Sequence, residues 1–242
     1  MMENSDMRPL GVKVEFEGAI VPDDTPMDGA FVRLEPLSPP DHGPALWAQI
    51  KDHPQVWDYL YEAPPEDAAA FVETLVVSCA KEGWHGYAIC LPDLGPVGYA
   101  FYLNTVPAMG TIEVGNINFS PRLQRTPAAT EAMYLMMRAA FARGYRRYEW
   151  KCNALNMPSR RAAQRLGFSW EGIFRQHLIV KGRNRDTAWF AMTDGDWPAL
   201  DGAFQTWLAP GNFDGQSTQR QSLAALTGPV RVASDPAQSS SA

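Results

Sequence analysis

Three strand-like runs, 86–91, 97–103 and 111–119, follow one another with only Pro92-Asp93-Leu94-Gly95 and Pro107-Ala108-Met109-Gly110 between them. A parallel return needs a crossover of a dozen residues or more, so connections this short dictate an antiparallel meander. The next run, 127–143, carries Met133, Leu135, Met136, Met137, Ala140 and Phe141, apolar on most of its circumference. Such a helix belongs in a core, and Gly144 supplies its stop. A further strand is expected at 146–153. Strand clusters flanking mid-chain helices indicate an α+β domain built on a mixed sheet.

The flanks are consistent with this. Residues 30–37 alternate apolar and polar and end at a proline, and Ser38-Pro39-Pro40-Asp41 offers a helix start ahead of 45–51. A second helix is expected over 65–81, with Phe71, Leu75 and Ser78 on one face. A short helix over 158–166 leads into a hairpin, 168–180 and 187–193, around Lys181-Gly182-Arg183-Asn184. A last helix is expected over 196–208. The expected divisions are an N-terminal extension, 1–27; a domain, 28–209; and a disordered tail, 210–242, whose Gln, Ser, Ala and Pro leave little to bury.

Composition narrows the function. A net charge of −6 argues against a general nucleic-acid binder, whose footprint would be basic. No apolar run reaches the ~20 residues that cross a bilayer. The three cysteines (Cys79, Cys90, Cys152) and four histidines are not spaced as metal ligands. Reduced thiols and a polar N-terminus lead us to expect a cytoplasmic protein without membrane or metal.

Two segments carry chemistry. In Ser120-Pro121-Arg122-Leu123-Gln124-Arg125-Thr126 the chain leaves a strand for a helix N-terminus, where unpaired N–H groups and the helix dipole attract phosphate. A capped helix with incidental arginines fits the same residues. In Asn156-Met157-Pro158-Ser159, followed by Ala162-Ala163 and Leu166-Gly167-Phe168, a short helix is capped at its start and released by a glycine. Cys152 lies in a strand without a His–acid signature, so it reads as packing.

Together, in this order, these segments resemble the GNAT acetyltransferase superfamily. Gln124-Arg125-Thr126-Pro127-Ala128-Ala129 is similar to its pyrophosphate loop, with Pro127 replacing a glycine and removing one N–H. The Asn156–Ser159 segment resembles its second half-motif. Glu171-Gly172, Arg175, Arg185-Asp186 and Trp197 extend the similarity to the branch that acetylates ribosomal-protein N-termini. The resemblance implies the GNAT fold, and transfer of acetyl from acetyl-CoA to a primary amine: a small molecule, an amino acid or a protein N-terminus. It implies cofactor contacts at Asn118, Phe119, Arg122, Gln124, Arg125, Thr126, Ala128, Ala129, Thr130, Asn156 and Ser159. Glu113 is the expected base, unless it is a solvated strand carboxylate. Ser159 stands where a hydroxyl meets the thiolate, a role compatible with helix capping, because the family's usual tyrosine position is Ala163. Trp57, Tyr59, Trp84 and His177 are candidates for the acceptor pocket, although aromatic residues equally build cores. A monomer or homodimer is expected. A degenerate acyl-CoA-binding module is the alternative function.

Overall fold

In the computed structural model, which describes residues 10–214 and 218–238, the meander is the centre of one eight-stranded sheet. The strands are β1 (Met27–Asp28), β2 (Arg33–Pro36), β3 (His85–Leu91), β4 (Gly95–Val106), β5 (Thr111–Phe119), β6 (Arg147–Asn153), β7 (Ser169–Val180) and β8 (Arg183–Thr193). Their order is β1-β2-β3-β4-β5-β6-β8-β7. Only β5 and β6 run parallel, because the helix α3 (Pro127–Ala142) crosses over between them.

Alternation along the strands divides the side chains between two helical layers. Ile112 and Val114 of β5, with Tyr148 and Trp150 of β6, face the larger core. That core also takes α3, Ala163 of α4 (Met157–Arg165), and Leu200, Phe204 and Trp207 of α5 (Trp197–Leu208). On the opposite face Tyr99, Phe101 and Leu103 pack under α1 (Pro39–Ile50) and α2 (Ala68–Cys79). Ten of the sixteen α3 residues are buried, as its apolar circumference requires.

One of the ten is Glu131, whose carboxylate accepts the N–H groups of Ala30, Phe31 and Val32 at 2.8, 2.6 and 3.1 Å. A Cβ on Gly29 would lie 2.5 Å from the Glu131 carboxyl carbon, so only glycine lets the turn close over it. Glu131→Ala would orphan three N–H groups. We expect a loss of about 3 kcal/mol or more, read as a lower midpoint in chemical denaturation.

Of the N-terminal extension, residues 1–9 lie outside the described residues; further along, Ala19 and Ile20 donate to the carbonyls of Pro107 and Arg143, and the Tyr87 hydroxyl donates to Asp23 O at 2.6 Å. The disordered tail expected over 210–242 is corrected for residues 218–238; 215–217 and 239–242 lie outside the described residues. Leu223, on the short helix α6 (Leu223–Thr227), is fully buried in the larger core. Beyond it, Arg231 donates to Gln164 O, and Val232 N–H to Ser169 Oγ. The Asp235 carboxylate, 0% exposed, accepts Arg160 Nε and Nη2 at 2.8 and 2.5 Å. Burial acts to raise this carboxyl, and the hydrogen bonds from Arg160, Gln238 and Ala237 N–H with the Arg160 charge together outweigh it, holding it below the usual aspartate value. Leu223, Leu226 and Val230 pack on the larger core, and polar bonds to α4 and β7 fasten the rest of the strap. No helix among the described residues is long and apolar enough to cross a membrane.

Candidate active site

The pairing of β5 with β6 runs from Thr111↔Arg147 to Val114↔Trp150 and then ends, although both strands continue. The cause is local to β5. Between Gly115 and Asn118 the strand holds one residue more than β4 opposite, and Asn116 takes a left-handed φ of 46°. A bulge of this kind bends its strand, and here it opens a wedge between β5 and β6.

Ser120 N–H bonds to Val97 O, which fixes the alternation backwards along β5. Asn118 therefore points its N–H at Tyr99, its register partner on β4. Phe119 turns its N–H into the wedge, while its carbonyl accepts Gln124 Nε2 at 2.8 Å. Of the two strand donors expected here, only Phe119 is available; Asn118 instead offers a buried side-chain amide. Both its polar atoms, and Ser120 Oγ, have no hydrogen-bond partner among the described residues.

The loop after β5 is held by its own residues. Thr126 Oγ1 accepts Ala129 N–H at 3.1 Å and donates to Leu123 O at 2.7 Å. Ala129 is thus consumed by the cap, and Pro127 has no N–H, so Ala128 is the free donor of the first turn. Arg125 adopts a left-handed φ of 62°, and both Arg122 and Arg125 are exposed. Thr130 does not face a ligand: it is buried and its hydroxyl accepts Arg165 Nη1, joining α3 to α4.

Across the wedge, Asn156 Oδ1 caps α4 by accepting Ser159 N–H at 3.1 Å. Ser159 Oγ in turn accepts Trp150 Nε1 at 3.0 Å. The indole occupies a lone pair of the oxygen, and the hydroxyl also stands beside the Cys152 sulfur, so its proton has a choice of partners.

Glu113 lies on the other face, between β4 and β6, 6% exposed. Its Oε2 accepts Lys151 Nζ at 2.5 Å and Asn104 Nδ2 at 2.7 Å. Its Oε1 has neither contact and lies 3.2 Å from the position of a Cβ on Gly115, where β5 parts from β6. Burial raises its carboxyl above the usual glutamate value, and Lys151 opposes that rise. Lys151 was missed in the sequence, although its parity with Glu149 on β6 predicted a shared face. Burial pushes the Cys152 thiol up to about 11, which removes it as a nucleophile.

The acceptor candidates divide. Trp57 is corrected to a core residue: it is 2% exposed, packs edge-on to Phe71, and reaches the cleft only through its carbonyl, which accepts Lys181 Nζ. Trp84 likewise packs on Phe101 at the rim of the smaller core. Tyr59 is exposed and its hydroxyl donates to Leu155 O at 3.3 Å, spanning the wedge. His177 is exposed, with Nδ1 3.0 Å from Thr187 Oγ1. Asp186 braces the hairpin by accepting Gln176 N–H and Asn184 Nδ2.

A groove of about 440 Å³ elsewhere is lined by Glu35, His42 and Cys90, whose ligand-type atoms lie within 4.8 Å of one another. Its wiring opposes a metal. His42 Nδ1 accepts Ser38 N–H, so the ring proton sits on Nε2, facing Glu35 at 3.2 Å. Burial, then Glu35, pushes the Cys90 thiol up to about 11.

The wedge beside the start of α3 thus carries a buried carboxylate, Glu113, on one face and the Ser159 hydroxyl on the other. The sequence model of the acetyltransferase (GNAT) domain matches residues 32–169. A GCN5-related N-acetyltransferase from Brucella melitensis is 43% identical, with a TM-score of 0.84 over 87% of this chain and 97% of that one. A probable GNAT-family acetyltransferase from Chromobacterium violaceum is 38% identical, with a TM-score of 0.76 over 81% of this chain and 100% of that one. An acetyltransferase from Salmonella typhimurium that modifies the N-terminal serine of ribosomal protein L7/L12 shares the fold at 19% identity and a TM-score of 0.59. That protein covers 68% of this chain, and 96% of its own length is matched. No curated protein matches the chain in sequence. The chain belongs to the GNAT acetyltransferase family, whose acetyl donor is acetyl-CoA.

Proposed function

We propose that the protein transfers acetyl from acetyl-CoA to a primary amine by direct attack, with Glu113 as base and Ser159 as the hydroxyl at the leaving sulfur. The carrying observation is Glu113 Oε1, uncommitted and beside Gly115 where β5 and β6 part. Acetyl-CoA supplies an activated carbonyl and a thiolate leaving group. Arg122, Arg125 and the Ala128 N–H would hold its phosphates at the start of α3, with Asn156 Nδ2 and the Asn118 amide along its arm.

Glu113 takes a proton from the acceptor ammonium, directly or through one water. The freed lone pair then forms the N–C bond as the C–S bond breaks. Phe119 N–H donates to the carbonyl oxygen as it gains charge. Ser159 gives its proton to the departing sulfur and regains one from the nitrogen, leaving an amide, a thiol and one proton on Glu113. Lys151 positions the carboxylate and opposes the rise that burial imposes on its carboxyl.

The test is thiol release from acetyl-CoA against a panel of amines. Release that depends on amine supports transfer; tight coenzyme A binding without release by any amine supports the binding-module alternative. The loop has its own arm. Arg125→Gly removes a charge while suiting the left-handed backbone. It is expected to weaken coenzyme A binding about tenfold, as loss of one charge-assisted hydrogen bond does. An unchanged dissociation constant by calorimetry would count against the loop.

A further inference from the structure

Arg185 is a buried guanidinium without a carboxylate. It is 6% exposed, and its Nε and Nη1 have no hydrogen-bond partner among the described residues. The Tyr61 ring centroid lies 4.5 Å from its guanidinium carbon. Tyr61 belongs to the connection between α1 and α2, so Arg185 faces the layer that also covers Glu113. Parity agrees. Arg185, Thr187 and Trp189 share one face of β8; Trp189 lies under Lys151 at 4.1 Å, and Lys151 reaches Glu113. Trp189 Nε1 is likewise buried and unpartnered. Unmet groups along this strip are therefore all donors, and the strip lies on the face from which an amine would approach Glu113.

Register sets the level. Trp189 stands opposite Lys151 and Thr187 opposite Asn153, so Arg185 lies past the last registered residue of β6, at the open end of the wedge. Four residues of strand span about 13 Å, and an arginine side chain recovers much of that length. The cleft thus has carboxylates, Glu113 and Glu149, at its narrow end and a guanidinium at its open end.

We propose that the natural acceptor carries an oxyanion a few bonds from its amine, a carboxylate or phosphate bound by Arg185 with Trp189 Nε1, in a molecule of amino-acid to dipeptide size. The proposal rests on the acetyl-transfer reading of the same cleft. The sequence marks Arg185 only as part of the family resemblance, because beside Arg183 and Asp186 it reads as a hairpin charge.

Matched pairs test it: glycine, alanine, glutamate and phenylalanine against their amides, and O-phosphoethanolamine against ethanolamine. The expected result is a KM about 10–100-fold lower for the anionic member of at least one pair, the worth of a charge-assisted hydrogen bond. A phosphate preference would assign the anion as phosphate, an amino-acid preference as carboxylate. Arg185→Gln should collapse that ratio to near one, and Arg185→Lys should restore part of it, with coenzyme A affinity unchanged in both. Calorimetry of N-acetyl amino acids and their amides, on protein saturated with coenzyme A, reads the subsite without turnover. Equal use and equal binding of charged and neutral members would overturn the proposal while leaving acetyl transfer intact. So would an Arg185→Gln effect alike on both members with a lowered melting temperature, which would make Arg185 a packing residue on Tyr61. Anion-selective binding without thiol release would instead sink the transfer reading and keep the subsite.

Discussion

Glu113→Gln is expected to lower kcat about 10²–10³-fold, the usual worth of a positioned base, with little change in the KM for acetyl-CoA. Glutamine keeps the shape and can still accept from Asn104, so the fold should survive. The pH dependence separates a base from a structural carboxylate. Burial raises the Glu113 carboxyl above its ordinary 4.5, so the acid limb of kcat/KM should lie above that value in the wild type and vanish in the variant. For stability the sign is opposite to that of a typical paired carboxylate. The fold holds this proton more tightly than the unfolded chain does, so its contribution is full below 4.5 and is lost as pH rises through the raised value. Removing the charge should therefore cost little stability near neutrality. Activity within about twofold of wild type, against a general-base effect of at least ~10², would move proton removal to another group.

The second large effect is expected far from the chemistry. Asp235→Asn leaves the Arg160 guanidinium, 6% exposed in its side chain, without its counter-charge. Breaking one half of a buried pair costs about 3–5 kcal/mol, and in a chain of this size that lowers the melting temperature by about 10 °C. Arg160 also donates to Ala154 O, and the residues just before it are the N-cap Asn156 and, in the first turn of α4, Ser159. The variant should therefore raise the KM for acetyl-CoA even at temperatures where it stays folded. An apolar double substitution, Arg160→Met with Asp235→Leu, should regain much of the stability. The pair's own pH dependence has the ordinary sign: its stabilisation is present above the usual aspartate value of 3.8 and is lost as pH falls through the lowered one. A melting temperature unchanged in Asp235→Asn would show that the strap does not hold α4.

Much of this was legible in the sequence, for identifiable reasons. The meander could be read because its turns were too short for any crossover, and α3 because its apolar circumference had no surface alternative. The strap could not. Its apolar attachments, Leu223, Leu226 and Val230, are few and scattered, and Asp235 meets a partner 75 residues away in sequence, which no local pattern registers. Trp57 was misplaced for a related reason. A run of aromatic residues says that apolar area must be covered, without saying whether protein or ligand covers it. The consumption of Ala129 by Thr126 was implicit in the capping chemistry, since a cap that satisfies one donor withdraws it from any anion. Arg185 needed the β6–β8 register before its place past the end of β6 could be seen.

The β5–β6 seam has a consequence for the mechanics of the whole molecule. Four residue pairs join a five-stranded slab to a three-stranded one. A donor held in the wedge as proposed would meet Phe119 N–H on one lip and Asn156 on the other, and so would act as a peg that fastens the slabs together. Loading the enzyme should consequently stiffen it from edge to edge, and the breathing of the sheet follows the line along which the acetyl donor enters.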